Sequence, residues 1–521
     1  MRDLPTWATT RSLRAPVCFI APLVAFVSPV AMAQPLPTNA EILLRVNDVV
    51  GGVRVRSIDS VSINSSGDWI ATVNRLVSPS TGAVIASGQV LFKVGDPLAA
   101  GNGVIMSWGN ANLSDDGAAL WPMTSSLGGE GLYRTLGTSP PSLAAAKVQS
   151  IAYSGGPWLS MPRAITLDAS RAMIIGSVDD PQNPTLDDAG IFAMTLDAAG
   201  VQASVVPLVV EGNVISAGSP PTSVPLQSIL IGTTQSDAAS FETFAWLGKL
   251  RTPPAAIAND DVAMFGPSTA LAREGSTSVI TSRTYGAMGN NAVAVNAQGD
   301  WVIRAALSGL VTGNAAIIRN GVVFASKGEP FAAIPNSTVE QVSAGNSPVR
   351  LDDSGRVWWW CDWSSTDLST DSAILCDSTI VLREGQSIGN QQIVSFRAGD
   401  ANFAIDRAGR RLISVVTLAG NVDAVVRVSP PPVVPGDRCS PADVADDAGA
   451  ALPSAGVNNG LTEGDYNLFF ANFFDANPVC DIASDDGTPL PPFGTTTGPN
   501  NGVTEADYNV FFATYFDGCA F

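Results

Sequence analysis

The chain contains no histidine. That absence removes Ser-His-Asp triads, Cys-His nucleophile pairs and imidazole-ligated metal catalysis together, because each needs a ring nitrogen. Charge is sparse as well. Asp, Glu, Lys and Arg make up 14% of the 521 residues, and 28 basic side chains face 47 acidic ones, for a formal net charge of −19. A nucleic-acid surface needs a basic stripe, and no stretch of this chain supplies one. After residue 33 no run reaches the roughly 20 apolar residues that a membrane helix needs.

The first 33 residues carry the order of a secretory signal. Arg2, Arg11 and Arg14 form a basic start, Val17 to Val30 an apolar run too short and proline-broken for a membrane span, and Ala31-Met32-Ala33 a small-residue cleavage site. The expectation is a signal peptide over 1–33 and a mature chain that is secreted or displayed at the cell surface.

Six cysteines are present, and Cys18 would leave with the signal. Cys361 and Cys376 flank a polar loop between two strand-like runs, which predicts a disulfide across a hairpin. Cys439 and Cys519 bracket the C-terminal segment and are candidates to clasp its ends, with Cys480 left odd.

Residues 34–428 are rich in Val, Ile, Ala, Gly and Ser, with turn residues at short intervals, the texture of an all-β domain. One phrase recurs: an apolar strand, Asn or Asp, two residues, Gly or a small residue, then a second apolar strand. It reads SINSSGDWIATV, NLSDDGAALWPM, AVNAQGDWVIRAAL, RLDDSGRVWWWC and AIDRAGRRLISVV, with weaker copies around Ser170 and Ala239. A second phrase alternates with it, as LFKVGDP, LVVEGN, LAREGS, FASKGEP and VLREGQ. The spacing of about 50 to 60 residues is that of a four-stranded propeller blade, and seven copies predict a seven-bladed β-propeller.

In the first phrase Asn or Asp opens a turn by bonding its own backbone, and Gly takes the left-handed conformation, so its acids are expected to be structural. The spacing does not match the Asp-box of sialidase-type propellers. Trp358, Trp359 and Trp360 follow one such turn; strand alternation puts Trp358 and Trp360 on one face and Trp359 on the other, as blade packing rather than a sugar platform.

At Ser429 the run SPPPVVPGD sets a semi-rigid linker, 429–437, ahead of a segment at 438–521 that says one thing twice. VNNGLTEGDYNLFFANFFD returns as PNNGVTEADYNVFFATYFDGC. From Asp437 onward thirteen carboxylates face one basic residue, Arg438. With Asp465 and Asp507 as the last position of a calcium loop, the polar ninth position falls on Thr462 and Thr504 and the fifth on Asn458 and Asn500. Each loop leads into a helix with an aromatic stripe, Tyr466 to Phe474 and Tyr508 to Phe516. The same spacing is a T-x-x-D capping box, which serves the helix without metal.

Two tandem loop-helix units ending in Gly518-Cys519 resemble the dockerin modules of secreted bacterial proteins, in particular the GC-type anchoring variety, over about the last 80 residues. The family's compact D-x-N-x-D-G start is replaced here by Asp443 and Asp481, each followed by an inserted loop. The resemblance implies two Ca²⁺ ions, held by Asp443, Asn458, Thr462 and Asp465 and by Asp481, Asn500, Thr504 and Asp507, and a cohesin-like or cell-surface protein partner. The middle domain is similar to uncharacterised repeat propellers of exported bacterial proteins, a likeness that brings a fold and no activity.

The leading expectation is therefore an exported binding or scaffold protein with a non-catalytic propeller. The rival is a secreted, polysaccharide-active glycoside hydrolase bearing a dockerin. Convergent carboxylates over an aromatic floor at the channel mouth, roughly 5 to 10 Å apart, would mark the enzyme; a mouth of Ser, Thr and Ala would mark the scaffold, with carbohydrate as a candidate ligand.

Overall fold

The computed structural model describes residues 40–428 and 440–517 apart from short loop segments, among them 180–187, 252–259, 453–460 and 491–501. The signal-like start, the linker, Cys439, Cys519, Asn458 and Asn500 lie outside the described residues.

Seven antiparallel sheets follow one another along the chain as the blades of a seven-bladed β-propeller, and the fold is mainly β. The first blade shows the plan: Ile58–Ile63, Trp69–Val73, Ala83–Ala86 and Gln89–Lys93, each strand bonded to the next. The ring closes by exchange of termini. The N-terminal strand Ala40–Arg45 pairs antiparallel with Val422–Val428, the strand nearest the C-terminus of the propeller, and so completes the seventh blade. Nothing in the repeat pattern announces this closure, because Ala40–Arg45 belongs to a blade whose other strands lie more than 340 residues away.

Blade strands read as continuous apolar runs because each sheet is covered on both faces by its neighbours. The buried side chains sort into seven clusters between successive blades, the last joining the seventh blade to the first. Val357–Trp363 shows the alternation. Trp358 and Trp360 pack toward the seventh blade with Phe403 and Leu412, whereas Trp359 packs toward the fifth with Val302 and Ile317. All three indoles are buried, so none is a sugar platform.

The same alternation overturns the expected disulfide. Cys361 and Cys376 lie on adjacent strands of the sixth blade, but Cys361 pairs with Ala373 and Cys376 with Trp358, a slip of three residues. An odd slip also puts them on opposite faces, Cys361 in the cluster with Trp359 and Cys376 in the one with Trp358. Both are buried free thiols, as is Cys480.

The first repeated phrase always joins the first two strands of a blade, so its copies share one face of the ring; the second follows the last strand, on the opposite face. The turns also lock blade to blade. Asp115 of the second blade accepts the Ser65 N–H of the first at 3.0 Å, and Asp353 of the sixth accepts the Ala297 N–H of the fifth at 3.0 Å. Buried Asp352 accepts the Arg356 N–H and Nε–H and the Trp358 indole N–H at 2.8 to 2.9 Å. Gly409 of the seventh blade, at φ +65°, lies so close to the Asp352 carboxylate that a Cβ there would collide with it.

The C-terminal segment holds the two described α-helices, α1 (Glu463–Phe473) and α2 (Glu505–Asp517). Phe469 and Phe511, equivalent in the two copies, are fully buried and stack with centroids 3.9 Å apart. The end of each stripe departs from the expected packing: Phe474 and Phe516 are 80% and 75% exposed.

Candidate functional site

At the turn face the first strands of six blades enclose a cavity of about 180 Å³ in the central channel. Its lining mixes hydroxyl and amide side chains with three guanidiniums, Arg163, Arg350 and Arg407, and three carboxylates, Asp115, Asp237 and Asp406. No aromatic side chain is among the described lining residues.

The carboxylates each serve the ring. Asp115 takes the Ser65 N–H and hydroxyl on Oδ1, and Asp237 takes the Val295 N–H of the fifth blade at 3.0 Å on Oδ2. Asp406 is buried and accepts the Arg410 and Arg411 N–H groups at 2.7 and 3.2 Å, with the Arg411 guanidinium 3.4 Å away. Burial pushes its carboxyl above the ordinary range against those bonds.

Arg163 is tied to the main chain of the fourth blade, donating to the carbonyls of Gly232 and, at 2.6 Å, Ser236. Arg407 does more. It occupies the second position of the seventh-blade turn, where other copies carry Ser65, Asp115, Ala297 or Asp353. Only its side chain among these is long enough to cross the channel, and it donates to the carbonyls of Val295, at 3.1 Å, and Ala238, roofing the cavity. The AIDRAGRR copy held that signal, an arginine where the repeat wants a small or acidic residue.

The other face carries a group that turn logic missed. Glu384, from the VLREGQ phrase, is buried at the end of the sixth blade's outer strand. Burial, a hydrogen bond with the Asp371 carboxyl and the charges of Asp371 and Asp362 lift its pKa to about 7. Burial, Asp371 and Glu340 lift Asp362 to about 6. In the fourth blade the LAREGS phrase does likewise: carboxylate oxygens of Asp260, Asp261 and Glu274 lie within 4.8 Å of one another, with Lys249 Nζ 3.4 Å from Asp261. Next to Asp362 in sequence, Trp363 lies under the Arg383 guanidinium at 5.1 Å and is buried.

In the C-terminal segment the structure brings Thr462 and Asp465 to the chain following Asp443, and Thr504 and Asp507 to the chain following Asp481. Asp465 Oδ1 accepts the Val444 and Ala445 N–H groups at 2.7 and 2.8 Å, while Oδ2 accepts the Thr462 N–H at 2.8 Å and its hydroxyl at 3.3 Å. Asp507 repeats this with Ile482 and Ala483, both 2.7 Å, and Thr504, 2.7 and 3.3 Å. A carboxylate has about four acceptor positions, and here all are filled by donors. These two residues therefore fit a capping latch better than a cation site. Asp443 is fully buried at the start of its loop.

No protein-family model matches this chain, and no curated protein matches it significantly. Among solved structures it is similar to a gluconolactonase of Xanthomonas campestris, at 10% identity over 77% of this chain and 99% of that one, with a TM-score of 0.26. The GH93 α-L-arabinofuranosidase of Fusarium graminearum gives 10%, 75%, 98% and 0.28, and the PQQ-bound aldose sugar dehydrogenase of Streptomyces coelicolor 11%, 76%, 99% and 0.28. Likeness at this level carries no argument about chemistry.

Proposed function

We propose that this is an exported binding or scaffold protein whose propeller presents a polar channel mouth and performs no covalent chemistry. The observation that carries the reading is the use made of the channel acids: Asp115, Asp237 and Asp406 each accept backbone N–H groups that join or brace the blades, above a floor without aromatics. A glycosidase needs two carboxyls free to act on one scissile bond, one as the general acid and the other as base or nucleophile. The acid whose pKa is raised, Glu384 beside Asp371, lies at the opposite face.

The C-terminal segment is, in this reading, a dockerin-like module that attaches the protein to a cohesin-like or cell-surface partner, with exposed Phe474 and Phe516 as equivalent apolar contacts. Two Ca²⁺ ions would draw their carboxylates from Asp443 and Asp481, with Asn458, Asn500 and backbone carbonyls, while Asp465 and Asp507 hold the loops to the helices.

A glycan array probed with the full chain, paired with a reducing-end assay on the same glycans, tests the function. Retention without release of reducing ends is expected. Release that disappears in Glu384→Gln would establish the hydrolase instead.

A further inference from the structure

We infer that the channel cavity binds a single sugar ring bearing a carboxylate, a hexuronate, with Arg407 as its anion anchor. This rests on the binding reading above and names its ligand class. The guanidinium of Arg407 donates only to the carbonyls of Val295 and Ala238. It spends two of five N–H donors on the main chain, and three remain for a planar acceptor such as a carboxylate. Among the described residues it meets no carboxylate.

The strand Ser236–Ala238 fixes the geometry. Carbonyls two residues apart on a strand point the same way, about 6.6 Å apart. Arg163 takes the carbonyl of Ser236 and Arg407 that of Ala238, so both guanidiniums gather on one edge of this strand. Beside them the Ser236 hydroxyl is buried in the cavity wall, and its Oγ has no hydrogen-bond partner. An unmet hydroxyl in such a place costs about 1 to 3 kcal/mol, a cost that a ligand oxygen removes when its binding turns this enclosed Oγ into the cavity.

Charge and size choose the ligand. Arg411 pairs with Asp406, whereas the Arg407 guanidinium faces no carboxylate among the described residues, which leaves its positive charge unmet. A monoanion completes the balance, whereas a neutral sugar or a zwitterionic amino acid does not. Asp115 Oδ2 and Asp237 Oδ1 accept no protein donor and remain for ring hydroxyls. A cavity of about 180 Å³ has room for a sugar ring. With no indole or phenyl to stack on, recognition falls to charge and hydrogen bonds.

Calorimetric titration of the full chain with D-glucuronate, D-glucose and glycine tests this. Glucuronate should bind, more weakly in high salt, and at least about tenfold more tightly than either of the others, the value of one charge-assisted hydrogen bond. Arg407→Met should lose about tenfold or more. Ser236→Ala should weaken binding several-fold while leaving the thermal midpoint of the free protein equal or higher, a combination that damage to the fold cannot produce. Equal affinity for glucose and glucuronate, preference for glycine, or unchanged affinity in both variants overturns the inference. Acidic glycans retained equally by Arg407→Met on the array would sink this site and leave the binding function standing; an array with no retention at all would sink both.

Discussion

Arg407 of the seventh blade donates to the carbonyl of Val295 in the fifth, 3.1 Å away and 112 residues earlier in the chain. In a seven-membered ring these blades are not neighbours, so the bond spans the channel rather than a blade interface. It is one of several side chain to main chain contacts by which the turns bind the ring, and their worth can be measured separately from the apolar cores.

Asp352 is the most heavily used of these turn acids. Its removal takes one acceptor from the Arg356 guanidinium, which keeps the Gly409 carbonyl at 3.0 Å, and takes the Asp352 acceptor from the buried Trp358 indole. Asp352→Ala should cost about 1 to 3 kcal/mol in urea unfolding followed by tryptophan fluorescence, the usual penalty for leaving a buried donor unmet. A loss under 1 kcal/mol would mean the turns are ornament on a ring held by its cores alone.

Closure of the ring makes a contrast within one strand. Leu44 is buried between the first and seventh blades, while Glu41 meets Arg427 at 2.6 Å in a half-exposed pair. Leu44→Ala should destabilise by about 3 kcal/mol, and Glu41→Ala by less than about 1 kcal/mol. Similar small losses for both would show that the N-terminal strand does not close the blade in solution.

Much of this was legible in sequence. The blade number was readable because five turn phrases set a left-handed Gly, at 67, 117, 299, 355 and 409, and two weaker copies fill the gaps between them, and VWWWC showed its two faces by strand alternation. The disulfide was misjudged because a pair of strands read one at a time has no register, and three residues of slip decide which face a thiol takes. The cavity was hidden for a related reason: it forms where six blades meet, and only the odd arginine at position 407 betrayed it. The acids of the R-E-G phrases gave no sign of their state, since burial and a carboxyl neighbour from another strand are what shift them.

The thiols themselves offer a test. Burial pushes both up, Cys376 to about 12, so neither is a ready thiolate at neutral pH. Iodoacetamide at pH 8 should leave Cys361 and Cys376 unlabelled in the native protein and label both after unfolding without reductant. Labelling that requires reductant would restore the disulfide.

Glu384 gives a pH dependence of defined sign. Its folded pKa of about 7 lies above the ordinary carboxylate value of about 4.3, so the folded state binds more protons between the two. The stability it lends is full below about pH 4 and fades as pH rises through 7, and Asp362, at about 6, adds to the same window. Glu384→Gln should raise the thermal midpoint by a few degrees at pH 8 and change it little at pH 5. A lower midpoint at pH 8 would contradict the assignment.

The C-terminal segment can be followed inside the intact chain, because no tryptophan lies beyond Trp363 and the described helices are α1 and α2. Circular dichroism at 222 nm reports the segment, and tryptophan fluorescence reports the propeller. Asp465→Ala should lower the dichroic midpoint with or without calcium, since it removes four hydrogen bonds. EGTA should lower it in wild type but not in the double substitution Asp443→Ala and Asp481→Ala. An EGTA response that survives that double substitution would return the ions to Asp465 and Asp507, and no response in wild type would leave the segment metal-free.

Binding without bond cleavage is open to a single proton NMR experiment on the full chain with a uronate-containing oligosaccharide. Saturation of protein methyl resonances should transfer to the uronate ring protons, while the anomeric region gains no new reducing-end signal over days at 25 °C. Growth of a reducing-end anomeric doublet would make the protein a hydrolase, and an absence of transfer would leave its channel without the ligand proposed for it.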